Sequence, residues 1–304
     1  GLAPWLTRDD VTDVLVNRPG EVWMETTDGE MVRLAAPQVT EQALTRLARQ
    51  IAAATHQGVN REQPLLSATL PNGARVQIIA PPATRDGLVL AVRKHTIKDL
   101  SVDDLAGAGL FAPAEKSAPA SSDAPLPELL PTDVPAFLKE AVKRRKTIDV
   151  SGGTSTGKTT LLNALVREID RAERLIVIED APEIRLDHPN AVGLIAVRGE
   201  QGEARVDADD LLRASLRMRP DRILLGELRG KEAFAFLRAV NSGHPGSITT
   251  VHADSPDGAI DQIALLAMTS GLDLGGSKRQ TYVRRVIDVI VQFDRRDGKR
   301  RVAD

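Results

Sequence analysis

The sequence predicts an α/β chain in two parts: a C-terminal part on a mainly parallel sheet, and an N-terminal α+β part with an antiparallel sheet. Three observations carry this. Beyond residue 132, near-continuous apolar runs alternate with stretches of helical spacing, as buried parallel strands covered on both faces do. Before residue 111, short apolar runs are separated by turn pairs such as Asp28-Gly29 and Asn72-Gly73, as in hairpins. Between a short strand and a helix stands Gly152-Gly153-Thr154-Ser155-Thr156-Gly157-Lys158-Thr159, which fits the pattern Gly, four residues, Gly-Lys-Thr.

Taken in order, residues 11–16 form an apolar run that ends in the turn signal Asn17-Arg18-Pro19-Gly20. Residues 21–26 alternate as a half-buried strand, and 31–34 return after Asp28-Gly29. Leu44, Leu47, Ile51 and Ala54 recur at helical spacing, with Thr40 as N-cap and Glu41 in the first turn. Strands follow at 65–70, 75–79 and 88–94, completing a first domain over 1–111. Residues 112–131 are Ala/Pro/Ser-rich, bury little apolar surface and read as an extended tether between domains. From 132 to 304, helices are expected at 134–144, 208–218, 231–240 and 257–268. Strands are expected at 147–150, 175–178, 222–226, 247–251 and 288–293. Ligand in such a sheet sits at the carboxyl ends of the strands, where the glycine-rich loop also lies.

The bulk numbers narrow the function classes. With 304 residues, the chain can build two ordinary cores. Lys plus Arg is 40 against 42 Asp plus Glu, a net charge of −2. No strongly basic field results, so direct nucleic-acid binding is not expected as the main task, although a local basic patch stays open. There is no cysteine, which excludes disulfides and cysteine-based zinc sites. No apolar run reaches the roughly 18 residues of a bilayer span, and no signal-peptide pattern opens the chain. The expectation is a soluble intracellular protein with only peripheral or partner-mediated membrane contact.

The loop is the strongest motif. Glycine lets backbone N–H groups wrap a phosphate, and the following helix adds the partial positive charge of its N-terminus. Lys158 can reach β- and γ-phosphates, and Thr159 can place its hydroxyl on Mg²⁺. The plainer alternative, a glycine-rich turn with a solvated lysine, does not explain the strand before and the helix after. Two further strand ends are acidic: Glu179-Asp180-Ala181-Pro182-Glu183 after 175–178, and Glu227 after Gly226. Carboxylates beside a triphosphate bind metal, orient water or accept its proton; the alternative is capping or solvated surface. His252 follows a third strand and precedes a helix capped by Ser255 with Pro256 in its first turn. Alone it reads more readily as a structural histidine than as a γ-phosphate contact, and His244 reads as structural. Arg217, Arg219, Arg222 and Arg229 flank the Glu227 strand, while Arg75 and Arg93 lie on strands of the first part. Spacing does not rank these six.

Four ordered motifs now stand together: the loop through Thr160, the Ile-Glu-Asp-Ala-Pro-Glu run, Arg-Met-Arg-Pro-Asp-Arg-Ile-Leu-Leu-Gly-Glu-Leu-Arg-Gly, and Gly-Ser-Ile-Thr-Thr-Val-His-Ala. This set resembles the secretion ATPase superfamily, with its phosphate loop, aspartate box, acidic second strand and histidine box. Within it, Val16-Asn17-Arg18-Pro19-Gly20-Glu21-Val22-Trp23 is similar to the opening of the hexameric traffic ATPase of Vir-type type IV secretion and conjugation systems. The resemblance covers nearly the whole chain. It implies a C-terminal P-loop (RecA-like) ATPase domain, ATP and Mg²⁺ as cofactors, and a homo-hexameric ring with nucleotide between the domains. By the same resemblance, Glu183 activates or orients water, Glu227 supports Mg²⁺ with Thr159, and His252 contacts the terminal phosphate region. Arg75 and Arg93 match arginines that the N-terminal domain brings over the nucleotide; with Arg219 they complete the candidate nucleotide contacts. Some family members carry such a tether and pack their domains in a swapped arrangement.

The leading function is therefore an ATP-hydrolysing motor for pilus assembly or substrate export at the cytoplasmic face of the inner membrane, beside other type IV secretion components and ATPases. Three alternatives stay open: a type IV or Tad pilus assembly or retraction ATPase, a ring-shaped nucleic-acid translocase, and a slow nucleotide-dependent assembly switch. Stimulation by DNA, weakened by salt, would mark the translocase; turnover with and without partners separates switch from motor.

Overall fold

A computed structural model describes residues 2–94, 133–197, 203–270, 276–296 and 299–303. The predicted 112–131 tether lies outside the described residues. The N-terminal elements are α1 (Ala3–Leu6), β1 (Val11–Val16), β2 (Gly20–Thr26), β3 (Met31–Ala36), α2 (Glu41–Ala54), β4 (Leu65–Thr69), β5 (Arg75–Ile79) and β6 (Val89–Arg93). They form one antiparallel sheet in the order β3-β2-β1-β6-β5-β4. Both turn pairs hold as read, with Gly29 and Gly73 at φ of 80°. Thr40 caps α2 by accepting from the Ala43 N–H at 3.2 Å.

One expectation changes. Residues 21–26 alternate, yet both faces of β2 are buried. Val22 and Met24 pack with Leu44 and Ile51 of α2. Trp23 lies on the other face with Leu15, Val89 and Ala91, packed into the core of the C-terminal part. The reason is tertiary: a large apolar ring offered to one face gives that face a partner sheet rather than water.

The C-terminal elements are α3 (Val134–Lys143), β7 (Ile148–Gly152), α4 (Lys158–Arg167), β8 (Leu175–Glu179), β9 (Ala191–Ile195), α5 (Ala208–Ser215), β10 (Arg222–Leu225), α6 (Glu232–Asn241), β11 (Ile248–Val251), α7 (Pro256–Met268), α8 (Gly276–Val286), β12 (Val289–Arg296) and β13 (Lys299–Val302). Their order is β13-β12-β7-β11-β10-β8-β9, and every pairing is parallel except β12 with β13. Alternate residues of each strand serve two cores, as near-continuous apolar runs require. Val150, Val177 and Leu224 meet α3 and α4 on one face. Ile176, Ile178, Ile223 and Leu225 meet α5, α6 and α7 on the other.

The strands β9 and β13 and the helix α8 had no place in the sequence reading. β9 is only Ala-Val-Gly-Leu-Ile, and α8 carries too few apolar residues to show a stripe. Helix α5 stops at Ser215, short of the expected 218. Arg219 takes φ 56° directly before Pro220, and a residue before proline is driven out of the helical region.

The two sheets meet along a polar seam. The Arg85 N–H donates to the Gly193 carbonyl and the Ile195 N–H to the Ala83 carbonyl, both at 3.0 Å, so residues 83–85 cover the outer edge of β9. Asn17, from the turn after β1, is buried: its Nδ2 donates to Asn190 Oδ1 at 3.0 Å. Arg174 donates to Asn17 Oδ1 at 2.7 Å, to Asn190 Oδ1 at 2.6 Å and to the Met218 carbonyl at 2.8 Å.

Candidate nucleotide-binding site

The loop between β7 and α4 is shaped by its glycines. Gly152 has φ 154°, and a Cβ there would lie 2.8 Å from Thr156 Oγ1 and 2.9 Å from the Phe293 carbonyl oxygen. Gly157 ends the loop at φ 109° as the N-cap of α4, a conformation L side chains resist. Free N–H groups of the first turn of α4 therefore face the loop. Lys158 is buried and turns back: its Nζ donates to the Gly152 carbonyl at 2.8 Å and to the Gly153 carbonyl at 2.9 Å. Burial lowers the Lys158 pKa, while the nearby Glu227 and Asp149 pull it back up.

The acidic strand ends converge on the same place because β8, β10 and β11 lie side by side next to β7. Thr159 Oγ1 donates to Glu183 Oε2 at 3.1 Å. Asn163 Nδ2 braces both, donating to the Thr159 carbonyl at 2.9 Å and the Glu183 carbonyl at 3.2 Å. Across the cavity, His252 Nε2 lies 2.8 Å from Glu227 Oε1, and His252 Nδ1 lies 3.4 Å from Lys158 Nζ. Glu227 also pairs with Arg229, which reaches Asp180 at 3.2 Å. A chain of polar contacts thus runs from Lys158 through His252 and Glu227 to Arg229 and Asp180.

These groups line one cavity of about 530 Å³, within the usual range for a small-molecule site. Thr154, Ser155, Thr156, Gly157, Lys158, Thr159, Thr160, Glu183, Glu227 and His252 all line it. Gly152 and Gly153 sit behind, contributing carbonyls to Lys158. No group of three or more His, Cys, Asp or Glu suited to a metal occurs among the described residues. The oxygen donors beside Thr159 instead suit Mg²⁺, which is held by one or two carboxylates together with substrate phosphates.

Of the arginines, Arg229 lines the cavity beside Glu227, and the three expected as nucleotide contacts fall elsewhere. Arg75 and Arg93 line a separate open cavity of about 540 Å³ with Arg217. Arg93 is paired there with Asp13 at 2.9 Å. Arg219 belongs to the seam, donating to Glu25 at 2.7 Å and pairing with Asp221. Within one chain, then, none of these three reaches the phosphate loop. The arginine of the N-terminal part that meets the 179–184 turn beside the cavity is Arg85, which the sequence reading missed. It pairs with Glu179 and donates to the Ile184 carbonyl at 2.8 Å. A lone arginine in a Pro-Pro-Ala-Thr-Arg-Asp-Gly loop carries no signal of that reach. Glu179 shows a signal only in hindsight, as the last residue of a buried strand.

Comparison with known proteins follows the same lines. The family described as "Type II/IV secretion system protein" matches residues 3–292. The type IV secretion system protein VirB11 of Bartonella quintana is 38% identical over 324 residues, covering 100% of this chain and 90% of its own. The type IV secretion system protein PtlH of Bordetella pertussis is 43% identical over 314 residues, covering 100% and 92%. Among solved structures, the VirB11 ATPase of the Brucella suis type IV secretion system, in complex with sulphate, superposes with a TM-score of 0.91 at 36% identity, covering 100% of this chain and 91% of that one.

Proposed function

The chain belongs to the type II/IV secretion system protein family, and on that premise we propose that it hydrolyses ATP to ADP and phosphate as a traffic ATPase of a type IV secretion system. The observation that carries the reading is one cavity in which Lys158, Thr159, Glu183, Glu227 and His252 meet at the end of a glycine-shaped loop. The sulphate complex of the Brucella suis relative is consistent with a fold that accepts tetrahedral anions.

Each residue has a task that follows from its place. Lys158 exchanges the loop carbonyls for β- and γ-phosphate oxygens, because a charged phosphate is the stronger acceptor. Thr159, whose hydroxyl stands beside Glu183, would hold Mg²⁺ together with Glu227, and the ion would supply positive charge to those phosphates. Glu183, beside Thr159 on the cavity wall, orients the attacking water and accepts its proton. His252 lies between Lys158 and Glu227 and reports the terminal phosphate to the second acid. Arg75 and Arg93 lie far from this chain's own loop, so a neighbouring copy in a homo-hexamer would supply them over the nucleotide. The ring would work with other secretion-system components at the cytoplasmic face of the inner membrane.

Glu183→Gln tests the assignment. The variant is expected to keep ATP affinity and to hydrolyse about 100-fold more slowly, as loss of a general base does. Unchanged turnover at unchanged affinity moves the role to Glu227.

A further inference from the structure

Glu179 is the buried acid of the site, and its hydrogen bonds shape the turn that follows. Its Oε1 accepts from the Glu183 N–H at 3.0 Å and from the Ile184 N–H at 2.8 Å, so one carboxylate oxygen sets the backbone that carries Glu183. The other oxygen faces Arg85, and the pair is nearly enclosed, with side-chain exposures of 15% for Arg85 and 4% for Glu179. The second arm of the guanidinium donates to the Ile184 carbonyl at 2.8 Å. Arg85 thus grips both ends of the turn, once through Glu179 and once directly. It comes from the loop between β5 and β6, across the seam from the cavity.

A second observation shows that the fold keeps a passage for this side chain. Arg85 runs over the bare backbone of Gly193 in β9. A Cβ at 193 would lie 2.5 Å from Arg85 Cδ, 2.8 Å from its Nε and 2.7 Å from Leu186 Cδ1. Gly193 has no left-handed backbone angle to explain it, so the close approach does.

We propose that Arg85 is a positioning residue for ATP hydrolysis, holding Glu179 and the 179–184 turn so that Glu183 faces Thr159. The inference rests on the ATPase reading given above. Without the guanidinium, Glu179 is a buried carboxylate with one oxygen unpaired, a costly state. It relieves that cost by rotating toward the adjoining cavity and water, which releases the Ile184 N–H and leaves the Glu183 N–H only its bond to the Ala181 carbonyl, 2.9 Å away. Glu183 then loses its set position, while the phosphate loop, held by Lys158 and its glycines, stays as it was. The N-terminal part therefore acts on the chemistry of its own chain without touching the phosphates.

The experiment uses the full chain and measures steady-state ATP hydrolysis, with affinity for a fluorescent ATP analogue in parallel. Wild type and Lys158→Ala are run first. If wild type shows no hydrolysis, or Lys158→Ala hydrolyses equally, the ATPase reading fails and this inference with it. Given hydrolysis that depends on Lys158, Arg85→Ala is expected to lower kcat about 10- to 100-fold, the cost of a misplaced catalytic group. KM and analogue affinity should stay within about threefold, because ground-state binding is untouched. Arg85→Lys should recover part of the loss, since one ammonium can pair with Glu179 but not also hold Ile184. Gly193→Ala lies outside the cavity and changes no charge, yet it should reproduce the kcat loss by displacing Arg85. Combining it with Arg85→Ala should add little further. Wild-type kcat in Arg85→Ala, or a rise in KM at unchanged kcat, overturns the positioning role and leaves the ATPase reading standing. Should Arg85→Ala fail to fold, Arg85→Lys and Gly193→Ala decide: wild-type kcat in both overturns it.

Discussion

Lys158, at the start of α4, and Arg174, directly before β8, are both buried cations, and they do opposite work. Lys158 lies on the wall of an open cavity and is held by two carbonyls of its own loop, 2.8 and 2.9 Å away. Arg174 lies in the seam between the sheets, held by Asn17, Asn190 and the Met218 carbonyl, and burial pulls its pKa down to about 9. The first cation can trade its partners for a ligand, since phosphate oxygens can enter where it points. The second has nothing to trade. Burial of a charge therefore does not by itself mark a functional site; the replaceability of its partners does.

The largest expected effect breaks the comparison most directly. Lys158→Ala should lower ATP turnover by on the order of 1000-fold, because it removes a preorganised positive charge from the phosphates. Its melting temperature should barely move, and a collapse of the fold by circular dichroism would show Lys158 to be as structural as Arg174. Next comes Arg174→Ala, which leaves Asn17 and Asn190 without their shared donor in a sealed seam. It should cost about 3 kcal/mol, or roughly 6–12 °C in melting temperature. Turnover per folded molecule should stay within about twofold of wild type, since no group of the cavity is removed.

A buried acid sharpens the contrast. Asp149 in β7 is fully enclosed, its carboxylate oxygens have no hydrogen-bond partner among the described residues, and burial pushes its pKa from the ordinary 3.8 up to about 8. The folded chain holds a proton there that the unfolded chain releases above about pH 4. Its contribution is thus complete below about pH 4 and is lost as pH rises toward about 8, by at most about 1.4 kcal/mol per pH unit. Asp149→Asn should flatten the fall of melting temperature between pH 5 and pH 8 and raise it at pH 8. An unchanged pH profile would show the carboxyl to be ionised and solvated instead. The smallest effect belongs to the exposed Arg8–Asp10 pair: Arg8→Ala should leave melting temperature and turnover unchanged, as surface ion pairs contribute little.

Much of the site was legible because its parts are local. The glycines of the loop, the helix after it and the acid after each apolar strand are set by dihedral preference and by neighbours within a few residues. Ser255 caps α7 and Thr40 caps α2 for the same reason, each bonding an N–H three residues on. The arginines were not legible in this way. Arg85 meets Ile184 across 99 positions and Arg219 meets Glu25 across 194, so no window of sequence holds both partners.

By itself, then, the sequence determined most of the elements, the glycine-shaped loop between β7 and α4, and the family to which the chain belongs. Apolar period, turn residues and caps act over three or four positions, and each leaves a readable trace. Only the tertiary structure decided which faces meet. It placed β7 between β11 and β12, which brings His252 to Lys158 from 94 positions away. It buried Trp23 and Asn17 against a second sheet, and it sent Arg85 rather than Arg75, Arg93 or Arg219 toward this chain's own site. Such pairings follow from which apolar surfaces find each other in three dimensions, and that burial is a property of the whole chain rather than of any stretch of it.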